Sequence, residues 1–201
     1  MSNGRDFLLE KTEGQFMTVK TYSVAKDGNK QLSRNFKVRE FSCKDGADKA
    51  LVDDALYTAL QKIRDHFGKA VIINSAYRTA SHNSKVGGSP KSQHVQGKAA
   101  DIRINGADPL LVAQYAESIG LGGIGLYDTF THVDTRATKS KWDYRNGQKA
   151  VTSFGGQGQF KEISPYRGGV KKRFNLDENT LDYLEAYKYG EALLEKLATK
   201  E

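Results

Sequence analysis

A single cysteine, Cys43, places the main constraint on how this chain of 201 residues can fold. One thiol cannot build an internal disulfide framework, nor a zinc or iron–sulfur site made of several cysteines. The fold must therefore be held by a hydrophobic core, and a hydrophobic content of 38% is sufficient for one domain of ordinary size. Any metal that this chain binds must be held by His, Asp and Glu.

The excess of positive charge lies in one stretch of the chain. The formal net charge is +7, and residues 139–173 account for all of it, with nine basic side chains and two acidic ones. Such a stretch suits an anionic wall polymer, a nucleic acid or an anionic membrane, and a solvated basic loop would look the same. We expect no nucleic acid partner, because the sequence contains no recognisable element for reading one.

The sequence contains no apolar run that approaches the ~18 residues of a membrane span, and its mean hydropathy is −0.62. The first residues, Met1 to Asp6, also lack the apolar core of a signal peptide. We therefore expect a protein that is made in the cytoplasm without a signal peptide, and we expect a monomer.

Hydrophobic spacing predicts a mixed α+β domain. Residues 17–43 alternate weakly around a turn at Asp27-Gly28-Asn29, which indicates short strands. Apolar residues at three- and four-residue spacing predict a helix from Asp48 to Phe67, with Asp48 as its cap and Gly68 as its stop. A second helix is predicted from Asp108-Pro109 to Gly120. Buried strands are predicted at residues 70–73, 101–104, 123–127 and 130–135.

Composition divides the chain into four segments. Residues 1–16 are predicted to form a loosely held N-terminal arm, and residues 17–145 the main domain. Residues 146–175 are a basic, Gly-rich linker or loop. Residues 176–201 are predicted to form an amphipathic helical appendage that docks on the main domain, because an exposed apolar stripe is a liability.

Two short motifs carry residues that could bind a metal. In the run from Ser92 to Asp101, a bend at Gly97 could bring His94 and Asp101 to one ion. In the run from Phe130 to Asp134, His132 and Asp134 share one face of a predicted strand. Two histidines and one carboxylate leave the fourth position of a zinc ion open, as in catalytic zinc sites.

A third motif, Asn74-Ser75-Ala76-Tyr77-Arg78, directly follows a buried strand. An arginine there can bind a substrate carboxylate or a developing oxyanion through its planar fork. Each residue alone has an ordinary alternative: His94 could stabilise a turn, His132 could be a core histidine, and Arg78 could form a surface ion pair. Their joint occurrence, in this order, favours a catalytic metal centre.

The pattern Ser92…His94…Gly97…Ala99…Asp101, followed by His132-Val133-Asp134, resembles the zinc D-Ala-D-Ala peptidases of the peptidase M15 family. Every specified position of the signature Ser-x-His-x-x-Gly-x-Ala-x-Asp is matched. The ending Tyr127…Phe130-x-His132-x-Asp134-Thr135-Arg136 is similar to a subfamily common in phage endolysins and bacterial wall endopeptidases. The resemblance covers residues 17–145.

The resemblance implies a hedgehog/D-Ala-D-Ala peptidase fold, in which a small antiparallel sheet is flanked by helices. It also implies one Zn²⁺ ion, with His94, Asp101 and His132 as its ligands. Arg78 would orient the substrate or stabilise the oxyanion. We add Tyr77 and Ser92 as candidate substrate-binding residues.

The general base is the position at which the chain departs from the resemblance. Many relatives place Glu or Asp three residues before the last histidine ligand, where this chain has Thr129. Asp134 shares the strand face of His132, so we favour it as the catalytic base, with Asp128 as the other candidate. Asp134 could instead orient His132 through a hydrogen bond.

The activity that the resemblance implies is zinc-dependent hydrolysis of a peptide bond in bacterial peptidoglycan that contains a D-amino acid. The enzyme would be a phage-lysin-like endopeptidase or a D-Ala-D-Ala carboxypeptidase, acting at the bacterial cell wall. Residues 139–173 would then contact anionic wall polymer. The alternative is a non-catalytic, zinc-containing wall-binding module.

Overall fold

The computed structural model describes residues 18–145, Gly147, residues 149–155, Phe174 and Leu197. These residues form a mixed domain of helices and short strands, as the sequence predicts. The helices are α1 (Val24–Asp27), α2 (Asp54–Phe67), α3 (Ala80–Lys85) and α4 (Pro109–Ser118), with a 3-10 helix at Val38–Phe41. The strands are β1 (Val19–Ser23), β2 (Gln31–Ser33), β3 (Phe36–Lys37), β4 (Lys49–Asp53), β5 (Val71–Ser75), β6 (Ala99–Ile104), β7 (Gly123–Leu126), β8 (Thr131–Asp134), β9 (Ser140–Asp143) and β10 (Lys149–Ala150).

A six-stranded sheet in the order β10-β9-β7-β8-β6-β5 is the centre of the domain. Its neighbouring strands are antiparallel except for β7 and β9, which run parallel. The prediction of an antiparallel sheet is therefore wrong at this one pair. Strands β7 and β8 form an antiparallel hairpin. Strand β9 pairs with the other edge of β7 and runs parallel to it. The other described strands form two two-stranded sheets, β1–β4 and β2–β3.

One face of the sheet packs against helices and forms the hydrophobic core. Helix α4 lies against β7 and β8. Alternate residues of the central strands point to this side and are buried, as are apolar residues of both long helices. These core side chains include Ile102, Ile104, Ile124, Leu126 and Val133 from the sheet, Leu56, Leu60 and Ile63 from α2, and Val112, Ala113 and Ala116 from α4. The opposite face of the sheet carries polar side chains.

Helix α2 begins at Asp54, so the prediction that it begins at Asp48 is wrong. Residues Lys49–Asp53 instead pair with β1 as an antiparallel strand, and this tertiary pairing overrides the helical spacing of the apolar residues. The cap is Asp53, whose carboxylate accepts a hydrogen bond from the Ala55 N–H at 3.1 Å. Gly68 ends the helix with φ 59°, as predicted.

Residues 149–155 continue the domain beyond residue 145, where the sequence placed the start of a linker. Strand β10 pairs with β9. The buried Glu117 carboxylate of α4 forms an ion pair with Lys141 at 2.7 Å and accepts a hydrogen bond from the Phe154 N–H at 2.9 Å. The Gln114 side chain donates to the Phe154 carbonyl at 2.9 Å. These contacts fasten the segment to α4.

Several predicted segments lie outside the described residues. They are the arm at 1–16, most of the segment at 146–175, and the helix at 176–201 apart from Leu197. Across the described ranges, no helix combines the length and the apolar character needed to cross a membrane.

Replacing Glu117 by Gln should lower the free energy of unfolding by about 1–3 kcal/mol, because the Lys141 ammonium would lose its anionic partner in a largely buried position. Although burial opposes it, hydrogen bonds from Lys141 and Phe154 hold the pKa of Glu117 below its usual value. The stabilisation of the folded state by the ionised Glu117 is therefore fully present above the pKa of glutamate in the unfolded chain, about 4.3. It is lost as the pH falls through the lower pKa of Glu117 in the folded protein.

Thermal unfolding followed by circular dichroism at pH 7 and at acidic pH would measure this effect. The variant Lys149→Gln, which changes an exposed residue of the same segment, is the control and should unfold like the wild type. A Glu117→Gln protein with unchanged stability at pH 7 would contradict the assigned role of the ion pair.

Candidate metal centre

The candidate site lies at the middle of the sheet, on the face opposite the helices. Asp101 of β6 and His132 of β8 stand directly opposite each other in the strand register, so their side chains leave the same face side by side. One step further along the same face, Asp134 stands opposite Ala99. His94 reaches this face from the loop that leads into β6.

A tight bend in the loop at residues 92–98 carries His94 to the sheet. The Gly97 N–H donates to the His94 carbonyl at 3.1 Å, and the Lys98 N–H donates to the Gln93 carbonyl at 2.9 Å. Gly97 has φ +71°, and a Cβ atom there would lie 2.5 Å from the Leu51 carbonyl oxygen. The bend predicted at Gly97 is therefore confirmed, and it requires glycine for its conformation and for space.

Three ligand atoms of His94, Asp101 and His132 converge on one point. His94 Nε2 lies 3.2 Å from His132 Nδ1 and 3.3 Å from Asp101 Oδ1. His132 Nδ1 lies 2.9 Å from Asp101 Oδ1. A tetrahedron with metal–ligand bonds of about 2.0–2.1 Å has edges of about 3.3 Å. The spacing and the chemistry of these three donors therefore fit one Zn²⁺ ion.

Each histidine is held in one orientation by its other ring nitrogen. His94 Nδ1 donates to the Ala76 carbonyl at 2.7 Å, and His132 Nε2 donates to Asp134 Oδ2 at 3.1 Å. These bonds leave His94 Nε2 and His132 Nδ1 as the atoms with lone pairs for a metal. The Arg78 guanidinium lies 2.6 Å from the other oxygen of Asp101 and favours the charged form of this carboxyl group, so the third candidate ligand is ionised.

Arg78 contacts a predicted metal ligand directly. Its Nη2 atom lies 2.6 Å from Asp101 Oδ2, and its Nε donates to the Ser75 hydroxyl at 2.8 Å. The oxygen that faces the two histidines is Oδ1, so Arg78 holds the other oxygen of the same carboxylate. This positioning contact of Arg78 with Asp101 was not predicted from the sequence.

Asp134 is fully buried, and both of its oxygens are engaged. Arg136 donates to it through its backbone N–H at 3.0 Å and through its guanidinium at 2.6–2.9 Å. Although burial opposes it, hydrogen bonds from His132 and Arg136 lower the pKa of Asp134 to about 2. These contacts lie on the Nε2 side of His132, away from the atom that faces the other ligands.

Two glycines of β7 make room for side chains beside the cluster. A Cβ atom at Gly123 would lie 2.1 Å from the Asp134 carboxylate, and one at Gly125 would lie 2.4 Å from the indole of Trp142. The indole ring centre is 5.2 Å from that of His132 and 5.5 Å from the Arg136 guanidinium carbon. These contacts were not predicted from the sequence, although alternate glycines in a buried strand are a signal of close approach.

The remaining predicted site residues lie at varying distances from the cluster. The Ser92 hydroxyl accepts the His94 backbone N–H at 3.3 Å, so Ser92 shapes the metal loop. Tyr77 is buried, and its backbone N–H donates to the Phe41 carbonyl. Asp128 is exposed in the β7–β8 loop, where it borders a cavity on the helix side of the sheet with Ile102 and Thr131. The structure does not bring Asp128 to the three ligands.

Comparison with known proteins agrees with a metallohydrolase of this kind. A family model described as Peptidase M15 matches residues 30–134. A probable peptidoglycan L,D-endopeptidase MepK of Haemophilus influenzae is 35% identical over 94 residues, which are 42% of this chain and 50% of that protein. The peptidoglycan L,D-endopeptidases MepK of Escherichia coli K12 and of Shigella flexneri are each 31% identical over 93 residues, which are 42% of this chain and 51% of those proteins.

The donor cluster and the matched residues define a peptidase domain. The chain belongs to the peptidase M15 family, as the resemblance of its motifs indicated. It spans about half the length of the curated relatives that it matches.

Replacing Asp134 by Asn should weaken Zn²⁺ binding about 10- to 100-fold, because the hydrogen bond that orients His132 loses its charged acceptor. A general base would behave differently, since its loss abolishes turnover and leaves metal affinity unchanged. Competition with a chelating indicator measures the affinity.

The matched control is Asp143→Asn. Asp143 and Arg145 form an ion pair with the same two-residue spacing as Asp134 and Arg136, but on β9 and away from the ligands. This control should bind Zn²⁺ like the wild type. Wild-type affinity in Asp134→Asn would contradict the orienting role.

Proposed function

We propose that this chain is a zinc-dependent peptidase that hydrolyses a peptide bond in bacterial peptidoglycan. The observation that carries the proposal is the convergence of His94 Nε2, Asp101 Oδ1 and His132 Nδ1 within 3.3 Å of one another. The names of the relatives support peptidoglycan as the substrate.

We further propose that the cleavage is endopeptidic. The curated relatives are named L,D-endopeptidases, which favours a bond inside a stem or cross-link that involves a D-amino acid over removal of a terminal D-Ala. The hedgehog/D-Ala-D-Ala peptidase fold and the phage-lysin assignment remain proposals that rest on the motif resemblance. The site of action would be the bacterial cell wall.

The metal, its ligands and Arg78 would have different roles in hydrolysis. Zn²⁺, when bound by the three ligands, lowers the pKa of a water molecule to about 7 and polarises a carbonyl group. In hydrolysis the water oxygen bonds to the carbonyl carbon, the C–N bond breaks, and the proton of the water passes to the leaving nitrogen. Arg78 holds Asp101 with one nitrogen, and we propose that its remaining N–H groups bind a substrate carboxylate or the developing oxyanion.

For Asp134 we propose orientation of His132 in place of general-base catalysis. A base works best when its pKa is near the operating pH, and the pKa of Asp134 is lowered to about 2. Its complete burial and its bonds with Arg136 also keep its carboxylate from a substrate. Asp128 lies on the other side of the sheet, so the structure offers no support for it as the base.

The proposed contact with anionic wall polymer rests mainly on residues outside the described ranges. Among the described basic residues of the 139–173 stretch, three are engaged internally. Lys141 pairs with Glu117, Arg145 pairs with Asp143, and Lys139 donates to the carbonyls of Gly120 and Leu121. Lys149 is exposed.

Mass spectrometry of purified peptidoglycan after incubation with the protein tests the proposed function. We expect split stems or cross-links that disappear with a chelator and return with added Zn²⁺. Asp101→Asn, which alters a ligand, should release none. Free D-Ala as the only product would indicate a carboxypeptidase. An absence of products from several wall types, with stoichiometric Zn²⁺ bound, would contradict the proposed peptidase function and favour the non-catalytic wall-binding module.

A further inference from the structure

A row of stacked aromatic rings borders the metal centre on its own side of the sheet. Tyr127 and Phe130 continue the pairing of β7 with β8, since the Tyr127 N–H donates to the Phe130 carbonyl at 3.1 Å. Their ring centres are 4.2 Å apart and nearly parallel, and the Tyr144 ring stacks on the other side of Tyr127 at 5.0 Å. This aromatic row is one step along the strands from His132, so it forms a rigid border of the site.

The Tyr127 hydroxyl is held by Trp142 on the face of the sheet that carries the candidate ligands. The indole Nε1–H of Trp142 donates to the Tyr127 hydroxyl oxygen at 3.3 Å. The same indole lies over Gly125 and 5.2 Å from the His132 ring. Trp142 therefore connects the hydroxyl with the ligand cluster, and the stacking of Tyr127 between two rings fixes the direction of its C–O bond.

The proton of the Tyr127 hydroxyl is available for another partner. An indole N–H can only donate, so the hydroxyl oxygen accepts from Trp142 and its own O–H points elsewhere. Within the described part of the chain, no hydrogen bond uses this O–H as a donor. Burial raises the pKa of Tyr127 above its usual value, and the hydrogen bond from Trp142 opposes this only in part. The phenol is therefore protonated at neutral pH.

We propose that the Tyr127 hydroxyl donates a hydrogen bond to the carbonyl oxygen of the scissile peptide bond and stabilises the oxyanion that forms there. This inference rests on the proposed peptidase function and adds a catalytic residue to it. Tyr127 would bind the oxyanion from the border formed by the aromatic row, and Arg78 from the side of Asp101. Donors fixed in advance of the reaction are effective because they need no reorganisation when the charge develops.

The first test is Tyr127→Phe, which removes the hydroxyl and keeps the ring that stacks on Phe130 and Tyr144. We expect kcat on purified muropeptides to fall about 10- to 100-fold, with KM within about twofold, because the hydrogen bond strengthens in the transition state. Zn²⁺ content and thermal stability should stay at wild-type values. The control is Tyr57→Phe, which removes a phenol beside Asp54 on α2 and should leave kcat unchanged.

A binding measurement gives a second readout that does not depend on turnover. A phosphinate pseudopeptide, in which tetrahedral phosphorus replaces the scissile carbonyl carbon, mimics the oxyanion. Its affinity should fall in Tyr127→Phe by about the same factor as kcat/KM. Trp142 is the one tryptophan of the chain and contacts the Tyr127 hydroxyl, so its fluorescence reports binding at this position.

A double-mutant cycle separates catalysis from a purely structural role. If the hydroxyl only serves as the partner of the indole, Tyr127→Phe has no further effect once Trp142→Phe has removed that donor. If the hydroxyl acts on the substrate, Tyr127→Phe still lowers kcat in the Trp142→Phe background.

The outcomes distinguish this inference from the proposed function. A Tyr127→Phe protein that keeps wild-type kcat and phosphinate affinity, while the wild type cleaves peptidoglycan, overturns only the role of Tyr127. A wild type that cleaves no peptidoglycan overturns the peptidase function and this inference with it. A loss of activity that vanishes in the Trp142→Phe background also overturns the inference.

Discussion

The pairing of β6 with β8 is the constraint on which the site depends. Because Asp101 stands opposite His132 in this register, a carboxylate and an imidazole are side by side on one face of the sheet, and only the third ligand must come from a loop. If β6 were shifted by one residue relative to β8, the Asp101 side chain would face the hydrophobic core. The burial of Ile102 and Val133 on the helix side therefore protects the ligand geometry as well as the stability of the domain.

On the face of the sheet that carries the candidate ligands, two side chains lie directly over glycine residues of β7. Without a Cβ at Gly123 and Gly125, the Asp134 carboxylate and the Trp142 indole can lie close to β7. Each of these groups then contacts His132 or a neighbour of it. Orientation of the ligand histidine thus depends on a chain of packed contacts, Arg136 to Asp134 to His132, in which every polar atom of Asp134 has a partner.

Local patterns in the sequence were sufficient for much of this structure. Helix α4, the strands β5 to β8 and the convergence of His94, Asp101 and His132 follow from periodicity, capping residues and motif spacing. The start of α2 did not, because β4 is a strand only through its pairing with β1, about thirty residues earlier. The parallel position of β9, the role of Arg136 and the contact of Arg78 with Asp101 depend on register and side-chain reach across strands, which neighbouring residues in sequence do not encode.

The attachment of Phe154 to α4 has a consequence for engineering this domain. Gln114 and Glu117 hold residues 153–154 on the helix layer, whereas the ligand cluster lies on the other face of the sheet. A fluorescent protein or an affinity tag joined after Gly155 would therefore be attached on the helix side of the sheet, and the face that carries the candidate ligands would stay free of it. A fusion within the loop at residues 86–91, which leads into the metal loop, would not have this advantage.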